Sequence, residues 1–217
     1  SLISRIDNSA ASLSTSLGSN TTVGIGAVIA LNKISSDIDA GVANASSMSA
    51  AQGDIRITAK DLARIESDVS ASSLAVAIGV DSSTSVAVSF SLARNEVRNA
   101  VDAYLDNVGS ASHSASVNAG SLILSAEQAA TIDASSVASA IAVAVGASKS
   151  IAFSGGGALA FNTILGGANA YLENAFVAVT HAGKGQVNIS AQNISSILAE
   201  IRATAVSVGI GSGNTPA

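Results

Sequence analysis

His113 and His181 are the side chains in this chain with the most metal and acid–base chemistry to offer. They follow Asn107 and Asn174 by six and seven residues, in two stretches that resemble one another. Stacked imidazoles at such matching turns could share a metal. The first related stretch carries Ser47–Ala51 at that place, so both histidines read as exposed turn residues. No His-Glu-x-x-His zinc pattern, Ser-His-Asp order or nucleophile elbow accompanies them. The Gly cluster Gly155-Gly156-Gly157-Ala158-Leu159 lacks the Asp of calcium-binding solenoid turns and the Lys-Ser/Thr that would cradle a phosphate. Asp37, Asp39, Asp102 and Asp106 fall on the outward side of a strand pattern, where acids solvate a surface. Glycoside cleavage needs two acids facing across a groove, about 5–10 Å apart, and a sugar groove wants aromatic platforms. The aromatics number six: Phe90, Phe153, Phe161, Phe176, Tyr104 and Tyr171. The residues therefore predict no catalytic, cofactor-binding or metal site, and no cofactor. They predict instead a structural ladder of Asn32, Asn95 and Asn162, whose stacked amides would hydrogen-bond to one another. Tyr104 and Tyr171 are also equivalent and outward. They read as an aromatic ladder, with a sticky ridge for a partner as the other possibility.

Composition narrows the classes further. Among 217 residues 12% are charged and 3% aromatic, with one Pro and neither Cys nor Trp. Ordinary soluble domains carry about 25% charged residues. Disulfide frameworks and zinc–cysteine sites are excluded. Net charge −5 and pI ≈ 4.8 leave no basic footprint for nucleic acid. A mean hydropathy of +0.48 is far from the signature of a disordered chain. The most apolar stretch, 137–161, has Lys149 near its middle. A charge at a bilayer centre costs roughly 2.5–3.5 kcal/mol, so the stretch is not expected to span a membrane.

The elements that would hold these ladders recur along the chain. Asn32–Asn44, Asn95–Asn107 and Asn162–Asn174 align without gaps at offsets of 63 and 67 residues. Asp54–Ala59, Ser121–Ala126 and Gln186–Ala191 recur at offsets of 67 and 65, each followed by a block opening on Ile65, Ile132 or Ile197. The recurrence predicts a single repeat-array segment over 1–217. Its units are approximately 1–59, 60–126 and 127–191 with a partial fourth at 192–217, as in an excerpt of a longer chain.

Inside each unit the period is two. Val97, Asn99, Val101, Ala103 and Leu105 alternate with Glu96, Arg98, Ala100, Asp102 and Tyr104, as in a half-buried strand. In 137–161 both faces are apolar. Val137, Ile141, Val143, Val145, Phe153 and Phe161 belong to one set, and an Ala/Gly set lies between them. A strand of this kind is expected to be buried on both sides. The predicted fold is mainly β, a repeat β-solenoid or stacked-sheet rod with units of ~65 residues. The alternative is a β-solenoid enclosing one small-residue apolar helix per unit between two sheets, since a helix apolar all round must be enclosed.

The blocks Val23–Ile34, Gly157–Ile164, Ala170–Asn174 and Gly185–Ala191 resemble repeats of very large bacterial surface proteins, in particular leukotoxin-type filamentous adhesins. The resemblance implies a β-solenoid stalk at the bacterial cell surface and supplies no catalytic or binding residue. The expected function is a structural or adhesive stalk segment of a giant secreted or cell-surface protein, without catalysis. The alternative is a carbohydrate-binding or carbohydrate-cleaving β-solenoid. Expected partners are neighbouring repeats of the same chain, with other cells or surface polysaccharide as further candidates. Neither nucleic acid nor a membrane-spanning role is expected.

Overall fold

The computed structural model of the chain describes residues 1–50, 53–109, 117–179 and 185–212. Strict side-chain alternation makes long strands, and the chain runs β1 (Leu2–Ser16), β2 (Asn20–Ala43), β3 (Met48–Ala50), β4 (Ile55–Asp61). A matching set, with the first strand one residue longer, follows in β5 (Arg64–Gly79), β6 (Ser83–Asp106), β7 (Val117–Ala119), β8 (Leu122–Gln128). They follow again in β9 (Thr131–Gly146), β10 (Ser150–Glu173), β11 (Val177–Val179), β12 (Val187–Asn193), and β13 (Ser196–Ile210) opens a further turn. The fold is mainly β, and the described residues contain no helix.

Every strand pairs in parallel with its counterpart one coil away. The four sheets have the orders β1-β5-β9-β13, β10-β6-β2, β11-β7-β3 and β12-β8-β4. Leu2 pairs with Ile65, Ile65 with Ile132 and Ile132 with Ile197. Asn32 pairs with Asn95, and Asn95 with Asn162. The arrangement is β-solenoid-like: parallel coils stacked so that backbone hydrogen bonds run along the stacking direction. Two-residue joints at 62–63, 129–130 and 194–195 link the 7-residue strands to the strands that follow them.

Each coil is flattened into two layers. One is the 24-residue strand, β2, β6 or β10. The other is the 7-residue strand followed by the 16-residue one, as in β4 and β5. The second half of β6 packs against the short strands, where Val101 and Leu105 meet Ile55, Ile57, Leu122 and Leu124 in an ordinary branched-aliphatic core. The first half faces β5 and β9, where Val28 and Val69 pack with Ala30, Ala71 and Ala93, and further out the buried apolar residues shrink to Ala75, Ala87, Ala140, Ala142, Ala144 and Ala152. There the layers come closer than the roughly 10 Å usual for stacked sheets. A Cβ added at Gly24 would lie 2.9 Å from the Leu74 carbonyl oxygen, and one at Gly156 2.8 Å from that of Thr204. Serine hydroxyls reach across the gap to the opposite backbone: Ser85 Oγ donates to Ala75 O at 2.7 Å, and Ser83 Oγ to Val145 O at 2.7 Å.

Two expectations are corrected here. The enclosed-helix alternative fails, because 137–161 divides between β9 and β10 around a turn at 147–149. A helix about 10 Å across would not fit a gap lined by Ala and Gly. The run is also not buried on both sides. Its Ala/Gly set points inward, while Ile141, Phe153, Leu159 and Phe161 are exposed. Small side chains line the inside of this run, and a period of two sends their larger neighbours outward.

The gap makes a measurable contrast. Gly26→Ala forces a Cβ into the Ser72 carbonyl and is expected to lower unfolding free energy by about 1–3 kcal/mol, as overpacking does. Gly155→Ala, whose Cβ would meet nothing within 4 Å, is expected to change stability by less than about 0.5 kcal/mol. Denaturant unfolding of the two variants reads the difference, and equal destabilisation would refute the close-packed gap.

Candidate functional site

The residues that converge do so along the stacking direction rather than around a pocket. Asn95 is fully buried at the middle of β6. Its Nδ2 donates to Asn162 Oδ1 at 2.7 Å, and Asn32 Nδ2 donates to Asn95 Oδ1 at 2.8 Å. Asn32 Nδ2 also reaches Ser67 Oγ in the opposite layer at 3.2 Å. An amide supplies both donor and acceptor, so one residue type satisfies itself coil after coil without water.

Tyr104 and Tyr171 lie in register, with ring centroids 5.5 Å apart and planes at 12°, in a parallel stack. Gly41 holds the same position in the first coil. A Cβ there would lie 2.6 Å from the Tyr104 ring, so only Gly leaves room for the ring to lie over the backbone. Burial by its neighbours, then the charges of Asp102, Asp106 and Glu173 and the Tyr104 phenol, push the Tyr171 phenol above its ordinary titration range. The Tyr171 phenol thus sits among carboxylates.

Two further ladders escaped sequence reasoning. Asn44, Asn107 and Asn174 close the thirteen-residue block with φ of 53°, 51° and 48°. Asn is the non-glycine residue most tolerant of that left-handed turn. Asn107 Nδ2 donates to Asn44 Oδ1 at 2.6 Å. Their signal was the Asn ending each block. Asp61, Gln128 and Asn193 form the other, in register. Asn193 Nδ2 donates to Gln128 Oε1 at 3.0 Å, and Asn99 Nδ2 donates to Asp61 Oδ2 at 2.8 Å. Three different residue types gave this ladder no repeat signal.

Charges on the outer faces pair between coils. Lys33 Nζ lies 3.3 Å from Glu96 Oε1, and Lys60 Nζ 2.8 Å from Glu127 Oε1. The hydrogen-bonded Lys33 ammonium holds the Glu96 carboxyl below its ordinary value; burial opposes this, and the Arg98 and Arg94 charges assist.

Asp37 and Asp39 are exposed, Asp102 and Asp106 half-buried. Asp39, Asp102 and Asn169 share a register line, along which Asn169 Nδ2 donates to Asp102 Oδ1 at 2.8 Å. Among the described residues no three His, Cys, Asp or Glu side chains are grouped to hold a metal. His113 and His181 lie outside the described residues. The outer face of the long-strand sheet carries a depression of about 430 Å³ bordered by Leu31, Leu92, Arg94, Phe161 and Thr163. Among the described residues no helix is long and apolar enough to cross a membrane. Comparison with protein-family models, with curated proteins and with solved structures finds no match in any of the three.

Two measurements test these ladders. Asn95→Ala leaves the Asn32 donor and the Asn162 acceptor facing a void, and is expected to cost about 2 kcal/mol in denaturant unfolding with an unchanged m value. A cost near zero would remove the amide ladder as a stabilising element. For Glu96, a carboxyl held low in the folded state stabilises the fold above its unfolded value and loses that contribution as pH falls through the lower folded value. The difference in thermal midpoint between the native chain and Glu96→Gln is therefore expected to be largest above pH 4.5, the ordinary value, and to close below it. A difference independent of pH would contradict the pairing.

Proposed function

We propose that the chain is a structural or adhesive stalk segment of a giant secreted or cell-surface bacterial protein, built as a repeat β-solenoid of ~65-residue units and without catalysis. The observation that carries this reading is the Asn32–Asn95–Asn162 ladder, with backbone partners at offsets of 63 and 67 residues. The interior residue that binds one coil binds its neighbours on both sides in the same way. Such a design adds length by adding coils, each contacting only its neighbours. The in-register Tyr104–Tyr171 stack serves the same end on the outside. The resemblance to filamentous adhesin repeats gives the bacterial surface as the place.

Two experiments test the reading. In a thermal-shift screen of the purified chain against polysaccharides and calcium, a non-catalytic stalk is expected to show no shift. Reproducible stabilisation by one sugar or by calcium would replace it with a ligand-binding solenoid. Surface-protease shaving of intact cells is expected to release fragments of this segment, and complete protection would refute the surface location.

A further inference from the structure

The outer face of the β2-β6-β10 sheet is apolar over the first half of its strands. Ile25 is 66% exposed, Val88 43% and Phe153 57%. The strip has relief. Gly155 shares a register line with Val88 and Ile25, and Gly157 lies one outward position further on. Gly155 leaves a hollow beside Phe153, since a Cβ there would meet nothing within 4 Å, whereas the Phe90 ring lies 3.3 Å from where a Cβ of Gly157 would be. At one end the strip runs into the register line of Leu31, Arg94 and Phe161, and at the other into the turn 80–82, which carries Asp81.

We propose that this face pairs with the same face of a second copy of the chain, so that two coil stacks lie side by side about a two-fold axis parallel to the stacking direction. Such an axis keeps the stacking direction, so every coil meets its equivalent and the strands of the two copies run antiparallel. An isologous contact must be self-complementary, residue i meeting j and j meeting i. An axis over the Ile25, Val88 and Gly155 line meets that requirement twice. It sets each Phe153 against the Phe90 ring that lies over Gly157 of the partner subunit, an apolar contact between aromatic side chains. It also sets each Arg94 over the 80–82 turn of the partner subunit, and so against its Asp81. Within its own chain Arg94 reaches Glu96 at 3.8 Å, and Asp81 meets the Ser19 hydroxyl at 3.5 Å. Both charges have capacity left for each other. A lipid bilayer fits less well, because the turns at the end of the strip carry Asp81 and Lys149.

Area sets the strength of the contact. The strip is about 33 Å by about 14 Å over three coils, or about 500 Å² per copy, against about 800 Å² per partner in a standard stable interface. Three coils therefore pair weakly, and each added coil contributes about 160 Å² per copy. Pairing strengthens with the number of coils.

The chain has no Cys, so disulfide trapping reads the proposal directly. Val88→Cys sits on the proposed axis, and its thiol would face the same thiol of the partner subunit. Ser70→Cys, on the outer face of the other layer, is the control. Under mild oxidation V88C is expected to form covalent dimers at least about ten-fold faster than S70C, because pairing raises its effective concentration. Placed in V88C, R94E sets a carboxylate against Asp81 and is expected to slow trapping about ten-fold; adding D81K restores it. All four positions lie on outer faces or in a turn, and an unchanged circular dichroism spectrum verifies the fold. Equal trapping of V88C and S70C would overturn the pairing, and failure of D81K to rescue R94E would overturn this axis. Neither result bears on the stalk reading, which is tested by location and ligand binding.

Discussion

The width of the gap between the two layers controls the rest of this structure. Where the first half of the long strands faces β5 and β9, the space is lined mostly by Ala, Gly and Ser, with Val28 and Val69 toward the middle, and a Cβ at Gly26 would clash with the Ser72 carbonyl. Strand alternation then leaves no choice about the other side: if the small set is inside, Ile25, Phe153 and Phe161 must be outside. The usual burial of large apolar side chains is confined to the opposite half, where Val101, Leu105, Leu122 and Leu124 fill a wider space. In the narrow half the apolar area hidden per residue is small. Stability there comes from continuous backbone pairing along the stack and from serine hydroxyls that bond the facing layer.

In-register stacking adds a second rule: each side chain meets its positional equivalent from the next coil. Residues that bind their own kind are suited to such a place. The Asn amide does so through a donor and an acceptor, and the Tyr ring through face contact. Opposite charges meet between coils at Lys33–Glu96 and Lys60–Glu127; like charges share register lines at Glu66–Asp133, where Arg64 reaches both carboxylates, and at Asp106–Glu173. On the Asp39–Asp102 line the sign does not alternate, and the neutral amide of Asn169 follows instead.

These rules account for what could be read from the sequence. Asn32, Asn95, Asn162, Tyr104 and Tyr171 were legible because identity at a constant offset is the trace that stacking leaves. The Asp61, Gln128 and Asn193 ladder left no such trace, since its members share hydrogen-bonding capacity rather than identity. The run 137–161 was ambiguous because Ala suits both helix and strand in a buried setting, and because the turn Ala147-Ser148-Lys149 is marked only by the single Gly146 before it. Which face of that run looks inward was not legible at all. The habit of placing large residues inside holds when the layers are free to separate, and here the backbone contacts at Gly24 and Gly156 prevent it. Those glycines, always on the small-residue face, were the available clue.

The direction of the backbone hydrogen bonds has a mechanical consequence. They lie along the stacking axis, so tension on the two ends of such a stack pulls directly on them, and all the bonds between two neighbouring coils share the force. A coil occupies about 4.8 Å of the axis. The 67 residues from Ile65 to Ile132, drawn out, span about 220 Å. Detachment of one coil therefore lengthens the tether more than forty-fold over that segment, while the adjoining coils keep their own pairing. A stack of this kind behaves as a stiff rod below a threshold force and pays out chain in discrete steps above it.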